Sequence, residues 1–172
     1  MTKKERDSVL SGLRIIIDSR EKANVHIIKE LEEMSVPYIV RKLNFADYSC
    51  EIPKSEYFPY GYSYENGIAI ERKASLEELS SNLSQQRARF MREMERGKNA
   101  RFFLVVEGLR GYADIMKHNY KTDLDPSAYM ASLLTLVMRY NVNVSFVPKE
   151  LAARWIYRAL YYYVYEWLMT AP

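Results

Sequence analysis

Short apolar runs alternate along the chain with segments whose apolar residues recur every three to four positions, the pattern of strands interleaved with amphipathic helices. Leu13 to Ile17 is a β-branched run ending in Asp18, which predicts a buried strand with a carboxylate at its C-terminal end. Asn24 fits an N-cap for a helix through Met34, with Val25, Ile28 and Leu31 at helical spacing and Pro37 just beyond. Tyr38 to Leu43 and Tyr48 to Ile52 predict two further strands. Gly67 to Ile70 predicts a fourth, which runs directly into Glu71-Arg72-Lys73. Between them, Pro53 to Asn66 carries Pro53, Pro59, Gly61 and five aromatics, so a hairpin tip or loop is expected there.

Ser75 with Glu78 three residues later is a capping-box pattern, and one helix is predicted from there past Arg96 to Gly97. Arg101 to Val106 is almost wholly apolar, as in a strand covered on both faces. Pro126 opens a helix to about Tyr140, Val142 to Val147 is another strand, and Pro148 to Met169 is a long aromatic-rich helix. The order βαβββαβ, then α, β, α, predicts an α/β protein with a mixed central sheet flanked by helices on both faces. Residues 1–10 are expected to be a disordered N-terminal segment and 11–172 a single domain.

Hydrophobic residues make up 48% and charged residues 27% of the 172, which fits a globular chain and not a disordered one. The charge-free stretch Ala159 to Tyr165 is far short of the ~20 residues a bilayer span needs, and no apolar run follows the first seven residues. Neither a membrane span nor a secretory signal is expected. A single cysteine, Cys50, and two histidines, His26 and His118, all but exclude a Cys/His zinc site. Any metal must then be held by carboxylates, which suit a hard ion such as Mg²⁺ or Mn²⁺. The net charge is only +3, yet residues 72–101 hold eight basic side chains against four acidic ones. Such a patch is the footprint of phosphate contacts, or else a solvated helix face.

Asp18, Asp47 and Glu71 each lie at or beside a strand end, and Glu71 and Lys73, two residues apart, project from one face. Hydrolysis of a phosphodiester needs carboxylates for a divalent ion and a cation to offset the remaining charge. Asp47 with Glu71-Arg72-Lys73 resembles the signature of PD-(D/E)xK nucleases. Taken alone, the Glu-x-Lys triplet also describes an ion-paired strand end.

The longer string is more specific. Ile15-Ile16-Ile17-Asp18-Ser19-Arg20-Glu21, Phe45-Ala46-Asp47-Tyr48 and Ile70-Glu71-Arg72-Lys73-Ala74-Ser75-Leu76-Glu77 resemble, in order, the nuclease domain of the XPF family of structure-specific DNA endonucleases. Arg87-Ala88-Arg89-Phe90 and Phe102 to Gly108 are similar to its next helix and core strand. The resemblance implies a restriction-endonuclease-like fold and Mg²⁺- or Mn²⁺-dependent cleavage of DNA near branches, flaps or junctions. It implies Asp18, Asp47, Glu71 and Lys73 as catalytic residues, with Asp47, Glu71 and Glu77 as metal ligands. Arg20, Arg72, Arg87 and Arg89 would face DNA, with Arg72 supporting the site from the opposite strand face or through its main chain. A cytoplasmic or other DNA-containing location follows.

The sequence departs from that pattern at Ala46, where the family has glycine, and at Glu77, where it has aspartate. The tandem helix-hairpin-helix module that usually accompanies the domain does not follow here, so a homodimer or a partner subunit is expected to supply DNA grip. A non-catalytic DNA-binding or dimerisation subunit, and a junction resolvase or restriction-type nuclease of the same fold, stay open at this point. The aromatics Trp155 to Trp167 read as core packing with a dimer face, or as a base-stacking surface.

Overall fold

The computed structural model describes residues 1–170. Its element order is α1 (Lys3–Ser11), β1 (Arg14–Asp18), α2 (Val25–Glu33), β2 (Tyr38–Arg41), β3 (Tyr48–Ile52), β4 (Tyr62–Ser63) and β5 (Ile68–Lys73). It continues with α3 (Leu76–Leu83), α4 (Arg87–Gly97), β6 (Arg101–Glu107), α5 (Tyr112–Met116), α6 (Pro126–Tyr140), β7 (Asn143–Val147) and α7 (Ala152–Thr170). The sheet runs β2-β1-β3-β5-β6-β7, with the short β4 paired to β3. β1–β2, β5–β6 and β6–β7 are parallel, whereas β3 is antiparallel to β1 and β5. This is the mixed α/β sheet with helices on both faces that the pattern predicts.

Alternation along the strands divides the core. Ile15, Ile17, Ile68, Ile70 and Val105 face α1, α2 and α7, where Ile27, Leu31, Ile156, Leu160 and Val164 are buried. Ala69, Phe102, Leu104 and Val106 face α3, α4, α5 and α6, against Leu79, Phe90, Ile115 and Leu133. Each fully buried side chain of this size contributes about 1.5–3 kcal/mol of apolar transfer. The central strand β5 is buried along its whole length, including Glu71, Arg72 and Lys73.

Two expectations change and one of two alternatives is decided. The segment expected to be disordered forms helix α1 because Thr2 and Glu5 make a reciprocal capping box and Val9 and Leu10 bury against the core. The helix expected from Ser75 to Gly97 breaks at Ser84–Gln86, where the Ser84 hydroxyl bonds back to the Ser80 carbonyl and the Gln86 N–H turns to Ser81. Serine side chains compete for backbone groups in this way. Of the hairpin tip or loop expected at Pro53–Asn66, the structure has the hairpin, its return strand being β4, with Tyr64 buried against Trp167 while Tyr60 stays in solvent. Among the described residues, no helix is long and apolar enough to cross a membrane.

Candidate active site

Glu71 and Lys73 leave the C-terminal end of β5 on the face that α3 and α4 cover. The Lys73 Nζ lies 2.6 Å from Glu71 Oε1 and 5.1 Å from the centre of the Phe90 ring. β3 pairs with β5 at Tyr48 and Ile70, and there the backbone ladder gives way to a side chain. The Arg72 N–H donates to Asp47 Oδ2 at 2.8 Å, so the Asp47 carboxylate takes the place of a strand carbonyl and is fixed beside Glu71. Asp47 is held through its main chain as well, its N–H on the Ile70 carbonyl and its carbonyl on the Asp18 N–H.

The residue before Asp47 is the strained one. Ala46 has φ of 59°, a left-handed conformation costing an L-residue roughly 1–2 kcal/mol. The glycine of the resembled pattern therefore has a backbone reason, which alanine meets only under strain. The Ala46 N–H donates to Glu93 Oε1 at 3.1 Å, across from α4.

Asp47, Glu71, Lys73, Asp18, Arg20 and Arg89 all line one cavity of about 490 Å³. Their convergence follows from β1, β3 and β5 presenting neighbouring ends. The same cavity receives Glu78 from α3 and Arg92, Glu93 and Arg96 from α4. Glu78, at 3.6 Å from Lys73, is the functional candidate that the motif misses. The capping signal pointed to it, because its other oxygen accepts the Ala74 N–H.

The structure corrects four assignments. Glu77 turns away, its carboxylate accepting the Lys121 N–H, because neighbouring residues on a helix point about 100° apart and it is Glu78 that faces the cavity. Arg72 is 3% exposed and cannot face DNA. It lies on the opposite sheet face, paired with Glu107 and Glu21 at 2.8 Å each, and reaches the site only through its N–H. Arg87 bonds the Leu83 carbonyl and does not line the cavity. Asp18 lines the cavity but its carboxylate is fully engaged, by the Arg20 side chain and N–H and by the Leu43 N–H at 2.6 Å. That arrangement makes it a mount for Arg20.

Burial pushes Glu71 up to about 7, a rise the Lys73 ammonium partly offsets and the Glu93 charge adds to. Burial, then the charges of Glu71 and Glu21, hold Asp47 well above the ordinary carboxylate range. Burial alone would lower Lys73, but the Glu71 charge and hydrogen bond outweigh it and keep the ammonium. Burial likewise opposes the Asp18 charge, and its bonds to Arg20 and Leu43 outweigh that and hold it low.

Two carboxylates raised together, facing a polar cavity, are a site short of positive charge. Glu71 Oε2 is buried with no hydrogen-bond partner, so one lone-pair set remains to be satisfied. Among the described residues no three carboxylate, imidazole or thiolate groups converge as a closed cage. Two carboxylates are what an Mg²⁺-type ion commonly takes from protein, the remaining positions going to water and substrate phosphate. The donor set is all oxygen and fits a hard ion.

Comparison with known proteins agrees with this architecture. XPF from Aeropyrum pernix superposes with a TM-score of 0.63 at 20% identity, covering 90% of this chain and 69% of that one. The structure of XPF from Aeropyrum pernix in complex with DNA gives 0.59 at 18% identity, covering 89% and 65%. At these identities the likeness is one of fold, and the chain spans about two thirds of those chains' length. No curated protein matches it. The profile of the ERCC4 domain matches residues 17–159, most of the chain and every part of the cavity described above. The chain belongs to the ERCC4 domain family.

Proposed function

We propose that this protein is an endonuclease that hydrolyses DNA phosphodiester bonds with Mg²⁺ or Mn²⁺, acting at branched, flap or junction DNA. The observation that carries the reading is the divided Glu71 carboxylate. One oxygen is neutralised by Lys73 and the other is left without a partner, beside Asp47 in a cavity rimmed by arginines. Membership of the ERCC4 domain family and the fold shared with a DNA-bound XPF support it.

In this reading Asp47 and Glu71 hold the divalent ion, which when bound acidifies water and offsets charge on the phosphate. Lys73, buried and cationic, orients the attacking water and stabilises the negative charge that develops. Arg20 and Arg89, exposed at the rim, take flanking phosphates. Asp18 keeps Arg20 in place, and the Arg72 N–H does the same for Asp47. A second copy of the chain or a partner subunit extends the DNA contact; α6 exposes Leu134 and Met138, which are available for such an interface.

The test is cleavage of labelled flap, splayed-arm, four-way-junction, duplex and single-stranded DNA in Mg²⁺, Mn²⁺ or EDTA. Metal-dependent cutting of the branched substrates above duplex is expected. Cutting that is equal in EDTA, or confined to unbranched duplex, contradicts the reading.

A further inference from the structure

We infer that Glu93 is a positioning residue that holds the turn delivering Asp47 to the metal, an inference that rests on the reading of Asp47 and Glu71 as its ligands. Asp47 is anchored on three sides: its N–H on Ile70, its carbonyl on Asp18 and its carboxylate on Arg72. What remains undetermined by those bonds is the residue that brings the chain to it. Ala46 does so in a left-handed conformation that alanine avoids, and its methyl is packed in the core, 1% exposed. A strained residue persists only where its surroundings over-determine it. The group that reaches Ala46 is Glu93 Oε1, a carboxylate accepting the Ala46 N–H from 47 residues further along the chain.

Position strengthens the case. Glu93 lies on α4, which is separate from the strands that carry Asp47 and Glu71, so its bond to the Ala46 N–H, beside that of Arg96 Nε to the Asn44 carbonyl, ties α4 to the turn before Asp47. The α3–α4 break at Ser84–Gln86 lets α4 lie over the cavity at its own angle. Glu93 therefore couples the helix that also carries Arg89 and Arg92 to the geometry of the carboxylate pair.

Three substitutions of Glu93 separate acceptance from charge. Glu93→Gln keeps an oxygen acceptor and loses the charge, Glu93→Ala loses both, and Glu93→Asp keeps the charge but withdraws the acceptor by one methylene. Ala46→Gly removes the need for a brace, because glycine adopts positive φ freely. Mn²⁺ affinity of the full chain, read by electron paramagnetic resonance, is measured beside cleavage for each variant. Glu93→Ala and Glu93→Asp are expected to weaken Mn²⁺ binding by about tenfold or more, the usual effect of losing an outer support of a metal ligand. Glu93→Gln is expected to stay within about threefold of wild type, a fraction of that outer-support effect. Adding Ala46→Gly to Glu93→Ala is expected to restore most of the loss, a rescue that a ligand role or a field effect does not give. If Glu93→Ala does not fold, Glu93→Asp answers the same question. Glu93→Gln binding as poorly as Glu93→Ala, or no rescue by Ala46→Gly, overturns the positioning role while leaving the metal reading intact. Absence of Mn²⁺ binding by the wild type overturns both.

Discussion

Lys73 and Glu71 form a buried ion pair at 2.6 Å in which only one carboxylate oxygen is used. Both belong to one strand, two residues apart, so their contact follows from the period of β5 and needs no loop to arrange it. A buried pair of this kind adds little to stability against an apolar replacement. Its place on the central strand, with Glu71 Oε2 unsatisfied, therefore serves the proposed chemistry more than the fold.

Arg72 presents the opposite case. Its guanidinium is buried between Glu107 and Glu21, away from the cavity. Arg72→Met leaves two carboxylates without their cation, and removing one partner of a buried ion pair costs about 3–5 kcal/mol. A fall in Tm of roughly 10 °C is expected for a chain of this size. Calorimetry showing a change under about 2 °C, a small fraction of that expectation, would contradict the structural role assigned to this residue.

The raised Glu71 makes a signed prediction about pH. Its folded value, about 7, lies above its ordinary value of 4.5, so the folded metal-free protein binds the proton more tightly than the unfolded chain. That contribution to stability is fully present below 4.5 and is lost as pH rises through about 7. In EDTA, Tm should fall as pH is raised from 5 to 8, and Glu71→Gln should flatten the dependence. With Mn²⁺, the ion must displace that proton, so the gain in Tm on adding metal should be larger at pH 8 than at pH 6. A gain that shrinks as pH rises would refute the assignment.

Glu77 and Glu78 discriminate between motif and geometry. Glu77→Gln, whose carboxylate is turned to the Lys121 N–H, should leave cleavage within about twofold, since the removed charge lies outside the cavity. Glu78→Gln, facing Lys73 at 3.6 Å, should lower the cleavage rate. Rate constants under single-turnover conditions settle the order, and the reverse order would show that the motif position is the functional one.

Much of this was legible in the chain. The strand ending in Asp18 followed from its β-branched run, the strands beside Asp47 and Glu71 from the segments Tyr48 to Ile52 and Gly67 to Ile70, and the shared face of Glu71 and Lys73 from their spacing alone. Other features were not legible, for physical reasons. A one-residue step on a helix exchanges Glu77 for Glu78, and spacing in a motif does not fix which of two adjacent glutamates faces inward. For Arg72, which follows Glu71 on a strand, alternation did indicate support from the opposite sheet face, as the structure has it; the DNA contact also expected of it was drawn from its charge alone. The hydrogen bond from Ala46 to Glu93 spans 47 residues, a tertiary contact that no local pattern encodes. Helix α1 was hidden by its polar composition, and only the Thr2–Glu5 capping pair signalled it.

Arginines on α4 divide the same way. Arg89 lines the cavity and Arg87 does not. Arg89→Ala should weaken DNA binding and lower the salt slope by about 1, whereas Arg87→Ala should leave that slope unchanged. Equal slopes for both variants, measured by fluorescence anisotropy across a salt series, would remove Arg89 from the DNA interface.

In the proposed function, Asp47, Glu71 and Lys73 form one metal-dependent phosphodiesterase site. The most direct measurement is single-turnover cleavage of a labelled flap substrate by wild type, Lys73→Ala and Asp47→Asn in Mg²⁺ and in EDTA, with circular dichroism showing each variant folded. Cutting by the wild type in Mg²⁺ alone is expected, with each variant slower by about 10²-fold or more and still able to bind the DNA. Wild-type rates in either folded variant, or cutting that persists in EDTA, would contradict it.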